Sequence, residues 1–148
     1  MKLLVTGGTG FLGAPLCRAL LQRGHELFVI TRRPSAHTPQ PRLQYMAWTE
    51  EESSSQASTW QEVIARMDGI IHLAGASIAG GRWSPMQKQL IQESRVQTTR
   101  LLIEAMAEHS QRPAVFMTAS AVGYYGPRED EEVGETEPPG RGFLAETC

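Results

Sequence analysis

The chain has 148 residues, 41% of them hydrophobic and 20% charged, with a formal net charge of −2. That length makes about one domain with one substantial core, and the mild acidity argues against a general nucleic-acid or anionic-membrane surface. No apolar run approaches the roughly 20 residues of a membrane span, and the two cysteines, Cys17 and Cys148, make neither a disulfide framework nor a metal set. A reducing cytoplasm is therefore expected, with no signal peptide, because the first apolar stretch runs straight into glycines.

Leu3, Leu4 and Val5 read as a short, fully buried strand of a parallel sheet. Three glycines spaced three apart follow it, Gly7, Gly10 and Gly13. Phe11–Arg23 then has helical spacing, with Leu12, Leu16, Ala19 and Leu20 on one face and Pro15 in the first turn, where its missing N–H does little harm. Gly24 ends the helix, and His25–Thr31 is a second strand. The result is one βαβ unit. Glycines at the first turn let the backbone approach a pyrophosphate, the helix N-terminus aims free N–H groups at it, and Gly13 permits close helix–strand packing. A glycine pattern alone is a weak signal; here it follows a strand and opens a helix.

After the second strand comes Thr31-Arg32-Arg33-Pro34, with no carboxylate nearby. An NAD-selective site usually carries an acidic residue there for the ribose 2′-OH. A guanidinium instead pairs with a 2′-phosphate, so NADP is expected over NAD. The plain alternative is a solvated basic loop running into Pro34–Pro41.

Arg42–Trp48 reads as a third strand, Thr49–Ser58 as a polar loop and Trp60–Met67 as a short helix. Asp68–Gly75 is a fourth buried strand ending in small residues, Leu73-Ala74-Gly75, over which a cofactor could lie. Ser84–Ser110 is a long helical pattern with Leu90, Ile91, Val96, Leu101, Leu102, Ala105 and Met106 apolar, and Ala114–Ser120 is a fifth strand. This alternation predicts a doubly wound parallel α/β sheet, a Rossmann fold, in strand order 3-2-1-4-5. His25, His37, His72 and His109 are scattered without metal-ligand spacing, so no metal is expected, and His72 reads as a core histidine. The acidic run Glu129–Glu132, with Glu135 and Glu137, reads as a solvated loop.

The segments TGGTGFLG, DGIIHLAG and TASAVGYYG, in that order and covering nearly the whole chain, resemble the extended short-chain dehydrogenase/reductase superfamily. GRWSPMQKQLIQESR and SAVGYYG are similar to one atypical branch of it, the nucleoside-diphosphate-sugar epimerase-like "epimerase family proteins" of bacteria and mitochondria. The resemblance implies a Rossmann fold and a nicotinamide cofactor, and the residues expected to hold it are Gly7, Gly10, Phe11, Leu12, Gly13, Thr31, Arg32, Leu73, Ala74, Gly75 and Arg95. The last stands where related enzymes commonly have an asparagine, and its alternative is a surface arginine.

The resemblance also implies a serine and a Tyr-x-x-x-Lys pair, the tyrosine moving the proton and the lysine lowering its pKa. Ser120 fits the serine role. In the expected region the chain reads RGFLAETC, with Leu144 and Cys148 at the two positions. Tyr124 and Tyr125 are the remaining catalytic candidates, or else packing or lid residues. Arg82 and Trp83 either shape the mouth of the site or cap the next helix with Ser84 and Pro85. Superfamily members continue into a C-terminal substrate region, so residues 1–148 are expected to be a dinucleotide-binding domain incomplete at its C-terminus.

Three functions stay open: an NADP-dependent oxidoreductase or epimerase-like enzyme on a small carbonyl or nucleotide-sugar-like substrate, a non-catalytic dinucleotide-binding or redox-sensing module, and an inactive fragment.

Overall fold

The computed structural model describes residues 1–48 and 59–148; the Thr49–Ser58 loop expected above lies outside them. The elements in chain order are β1 (Lys2–Thr6), α1 (Gly13–Gln22), β2 (Glu26–Thr31), β3 (Leu43–Ala47), α2 (Trp60–Ile64), β4 (Gly69–His72), α3 (Pro85–Ala107), β5 (Val115–Thr118) and α4 (Phe143–Thr147), with 3₁₀ turns at Pro34–Ala36 and Val122–Tyr125. The five strands form one parallel sheet in the order β3-β2-β1-β4-β5. This is the expected Rossmann-type order, with the glycine turn at the carboxyl end of the central strand.

The chain divides into two compact units, Met1–Ala74 with Thr99–Thr118, and Gly75–Thr98 with Ala119–Cys148. The first unit contains the sheet. Strand alternation sorts its apolar residues onto two faces. Leu4, Phe28, Ile30 and Ile70 pack with Trp60, Val63 and Ile64 of α2 and with Leu102 and Ala105 of α3. Leu3, Val5, Leu27, Val29 and Leu43 pack with Cys17 of α1. Burying one such Leu or Ile contributes about 1.5–3 kcal/mol. Burial also pushes the Cys17 thiol up, which suits a packing role better than a reactive one.

Side chains and turns fix the ends of the elements. α1 stops in a Schellman arrangement: Gly24 N–H donates to Leu21 O (3.0 Å) and His25 N–H to Leu20 O (3.1 Å), with Gly24 at φ +85°. α2 begins with a capping box between Thr59 and Glu62. At α3, Ser84 Oγ accepts from Gln87 N–H (3.2 Å) and Pro85 takes the first helical position. The Asp68 carboxylate accepts from Lys2 N–H at 2.6 Å and Asp68 N–H donates to Lys2 O at 2.8 Å, setting β4 beside β1.

Several expectations need correction. α1 begins at Gly13, so Phe11 and Leu12 lie before it, 94% and 66% exposed. Its inward face is Gly13 and Cys17, with Leu20 and Leu21 partly buried, whereas Leu12, the N-cap, and Ala19 are exposed. On α3, Ile91, Leu102 and Ala105 are buried, whereas Leu90, Val96 and Leu101 are exposed; at about 3.6 residues per turn Leu90 and Leu101 lie at the margin of the stripe that Ile91, Leu102 and Ala105 mark, and Val96 lies on the other side of the helix. β5 stands last in the sheet, as the expected order has it, with Val115 and Met117 49% and 55% exposed and Phe116 turned to the core. The strands read as Asp68–Gly75 and Ala114–Ser120 end earlier, at His72 and Thr118.

Candidate functional site

In the first unit the turn after β1 is built from main chain against main chain. Gly7 sits at φ +68°, and a Cβ there would stand 2.7 Å from the Leu73 carbonyl carbon and oxygen and 2.8 Å from Ala74 N. Gly7 therefore meets Leu73 and Ala74, three residues that sequence reading placed in one site. A Cβ on Gly13 would fall onto Gly7 O and Gly8 Cα, so the helix starts flush against the turn. Gly10 N–H donates to Gly7 O (2.9 Å) and Gly10 O accepts from Ala14 N–H (2.9 Å). Gly10 itself is exposed, and the atom nearest to a Cβ placed on it would be Gly7 O, at 3.2 Å. Gly8, which sequence reading passed over, is buried, and a Cβ there would lie 2.9 Å from Val29 Cγ1 and 3.1 Å from Cys17 Sγ. Its signal was the doubled glycine.

The opening of α1 suits an anion. Its N-cap, Leu12, has no side chain to accept from the first-turn N–H groups, and the first turn holds no acidic residue. Thr31, the last residue of β2, is buried, and its Oγ1 accepts from Arg33 N–H at 3.4 Å. Arg32 and Arg33 are exposed and take part in neither ion pair found among the described residues. In sequence the next carboxylate after them is Glu50.

Thr6 and His72, side by side in the β1–β4 register, form a second layer behind the turn. Thr6 Oγ1 lies 2.6 Å from His72 Nδ1 and accepts from Ala74 N–H at 3.2 Å. Thr6 O accepts from Leu73 N–H at 3.1 Å. Burial holds His72 below the usual histidine range, favouring the neutral ring.

In the second unit α3 grips the segment that follows β4. Ser94 Oγ accepts from Ala76 N–H (2.9 Å), and Arg95 Nη1 donates to Ala76 O (3.1 Å) and Ile91 O (2.9 Å). A Cβ on Gly75 would stand 3.1 Å from Arg95 Cζ. Arg95 is thus half-buried and engaged with main chain rather than a free surface cation. Trp83 Nε1 donates to Ile78 O (2.9 Å) and its ring meets Phe143 edge-on at 5.7 Å, so it shapes the loop, while Ser84 and Pro85 start the helix.

Ser120 is exposed, two residues beyond β5. Tyr124 and Tyr125 lie in the 3₁₀ turn, half-buried and edge-to-face at 5.0 Å. Tyr124 O accepts from Gly140 N–H (2.8 Å), which ties the following acidic loop back to the turn. Within that loop Arg128 pairs with Glu131 (3.3 Å) and Glu137 (3.7 Å). Leu144 of α4 packs on Gly123, where a Cβ would be 3.2 Å from Leu144 Cβ, and Cys148 is exposed.

Residues 3–143 match the NAD dependent epimerase/dehydratase family. The chain belongs to that family. Among relatives, it is 37% identical over 126 residues to an epimerase family protein of Staphylococcus saprophyticus, covering 84% of this chain and 39% of that protein. This family member therefore spans about two-fifths of that relative's length. Its structure is similar to that of the human epimerase family protein SDR39U1 (isoform 2), solved with NADPH, at TM-score 0.77 and 31% identity, over 99% of this chain and 46% of the human one. It shares its fold, at 22% identity and TM-score 0.75, with the Y149F mutant of a UDP-glucuronic acid 4-epimerase of Bacillus cereus in complex with UDP-4-deoxy-4-fluoro-glucuronic acid and NAD, covering 99% of this chain and 48% of that one. Among the described residues, no helix is long and apolar enough to cross a membrane.

Proposed function

We propose that this chain is the NADP(H)-binding portion of an oxidoreductase or epimerase-like enzyme acting on a small carbonyl or nucleotide-sugar-like substrate. The observation that carries the reading is the turn itself. Gly10 leaves its mouth open, Gly7 and Gly13 bring main chain together behind it, and α1 opens on it without a capping side chain or a carboxylate. Those features fit a pyrophosphate and have no equivalent use in a purely structural turn. Bound there, a nicotinamide dinucleotide would supply hydride transfer.

Preference for the 2′-phosphate rests on Arg32, exposed just past β2 with no acidic residue before Glu50. The NADPH bound by the human relative supports the same choice. Ser120 would orient a substrate oxygen, and Tyr124 or Tyr125 would be the nearest proton donors in sequence. Arg95 would act chiefly by holding Gly75 and Ala76 in place.

A charge-assisted hydrogen bond contributes about 1.5–3 kcal/mol. Arg32→Asp removes one and sets a like charge beside the phosphate. It should weaken NADPH binding by roughly 10- to 150-fold or more and leave NADH little changed. Titrating both cofactors against wild type and variant at fixed salt measures this. A wild type that prefers NADH, or a variant that loses both cofactors equally, would reduce the Arg32 segment to a solvated loop.

A non-catalytic dinucleotide module is the second reading. Leu144 favours it: the position at which the superfamily resemblance implies a proton-transferring tyrosine holds an aliphatic side chain packed on Gly123. Turnover of any carbonyl substrate with NADPH decides between the two.

A further inference from the structure

Thr6 is fully buried at the carboxyl end of β1, between Ile30 and His72 in the sheet register. It receives two consecutive amides of the segment leaving β4: Leu73 N–H at its carbonyl (3.1 Å) and Ala74 N–H at its hydroxyl (3.2 Å). The same two residues, through the Leu73 carbonyl and Ala74 N, lie where a Cβ on Gly7 would be 2.7–2.8 Å away. The gap between them and Gly7 is too small for even a methyl group, so the position of that segment sets the room in which the turn lies.

What aims the Thr6 hydroxyl is then decisive. A hydroxyl has one proton and two acceptor sites. Ala74 N–H can only donate, which uses an acceptor site. The other partner, His72 Nδ1 at 2.6 Å, is the place for the proton if the ring is neutral with its own hydrogen on Nε2. The Phe116 ring lies beside it, centroid to centroid 6.5 Å and 27° from parallel.

We propose that His72 is a positioning residue of the dinucleotide turn: its Nδ1 accepts the Thr6 hydroxyl proton, and the Thr6 oxygen, so oriented, holds the Ala74 amide against which Gly7 lies. The inference rests on the dinucleotide-binding reading above. It adds to that reading a buried residue that would set cofactor affinity without touching the cofactor.

The test measures NADPH affinity and thermal stability for wild type and four variants. Thr6→Val and His72→Leu remove the donor and the acceptor, and each should weaken NADPH by about tenfold, the equivalent of one buried hydrogen bond. Thr6→Ser keeps the hydroxyl, and His72→Asn sets an amide oxygen close to the place of Nδ1; both should bind within about threefold of wild type. In parallel, ¹⁵N NMR of the wild-type histidine ring should show Nδ1 without a proton, a readout that survives if His72→Leu fails to fold. A protonated Nδ1, folded Thr6→Val or His72→Leu that binds like wild type, or His72→Asn as weak as His72→Leu overturns the proposal. If wild type binds NADPH and all variants bind equally, only this inference falls. If wild type binds neither NADPH nor NADH, the functional reading falls with it.

Discussion

In the unit of Met1–Ala74 and Thr99–Thr118, the turn is held by backbone atoms in contact with other backbone atoms: Gly7 against Leu73 and Ala74, Gly13 against Gly7 and Gly8. In the unit of Gly75–Thr98 and Ala119–Cys148, side chains hold several segments, Ser94 and Arg95 on Ala76, Trp83 on Ile78 and Leu144 on Gly123, beside one main-chain contact of the same kind, Gly140 on Tyr125. The difference has a physical consequence. Main chain cannot move aside without moving its strand, so a methyl group there is felt in full. A side chain can choose another rotamer, so its loss is local. Substitution should therefore be felt abruptly at main-chain contacts such as Gly13 and Gly140, and by degrees at side-chain holds such as Ser94 and Arg95.

The largest effect is expected at Gly13. Gly13→Val drives a branched side chain into the Gly7 carbonyl and should cost about 3 kcal/mol or more, the upper end for overpacking against rigid neighbours. Urea unfolding checks it; a loss below about 1 kcal/mol would show that the turn can yield, and the contrast between main-chain and side-chain contacts would weaken.

Gly10→Val sharpens the same contrast, because this glycine faces outward. Its nearest backbone atom, at 3.2 Å from the methyl position, need give only slightly. The variant should fold and yet lose NADPH binding, since the side chain takes up pyrophosphate space. Unchanged affinity in a folded variant would make the turn structural only.

Arg95→Ala tests the second unit. Removing a half-buried clamp on two carbonyls should cost about 1–2 kcal/mol, less than a fully buried charged hydrogen bond pair because solvent replaces part of it. Hydrogen exchange at the Ala76 amide, held separately by Ser94, should accelerate only modestly. A loss as large as that of Gly13→Val would erase the distinction between main-chain and side-chain contacts.

Ser120→Ala should be the mildest change in stability, within about 0.5 kcal/mol, because the side chain is exposed. If Ser120 orients substrate, reductase turnover should fall more than NADPH affinity. Equal loss of both, or of neither, removes it from the catalytic set.

How much of this was legible in the sequence differs between the same two regions. The runs at Leu3–Val5 and His25–Thr31, the glycine spacing and the helix-ending Gly24 are local signals, and they located β1, α1 and β2 to within two residues. The exposed Val115 and Met117 show the limit of that reasoning: an apolar run such as Val115–Thr118 marks a strand but does not say how far each of its side chains is covered. Seven apolar residues on α3 likewise gave its existence but not its buried face, because periodicity does not say which neighbours arrive.

The strand order, the place of the glycine turn and the absence of a carboxylate after β2 were determined by the sequence itself, because each follows from short-range pattern and from the right-handed crossover of parallel strands. Only the tertiary structure decided that Gly7 lies on Leu73 and Ala74, that Thr6 bonds both His72 and Ala74, and that Arg95 turns to the Ala76 carbonyl rather than to solvent. The Thr6 and Gly7 pairings join residues more than sixty positions apart. Such contacts depend on where the β1–β4 register places two strand ends, to within a fraction of an ångström, and a hydrophobic pattern of period two specifies which face a residue takes but not which distant backbone it will touch.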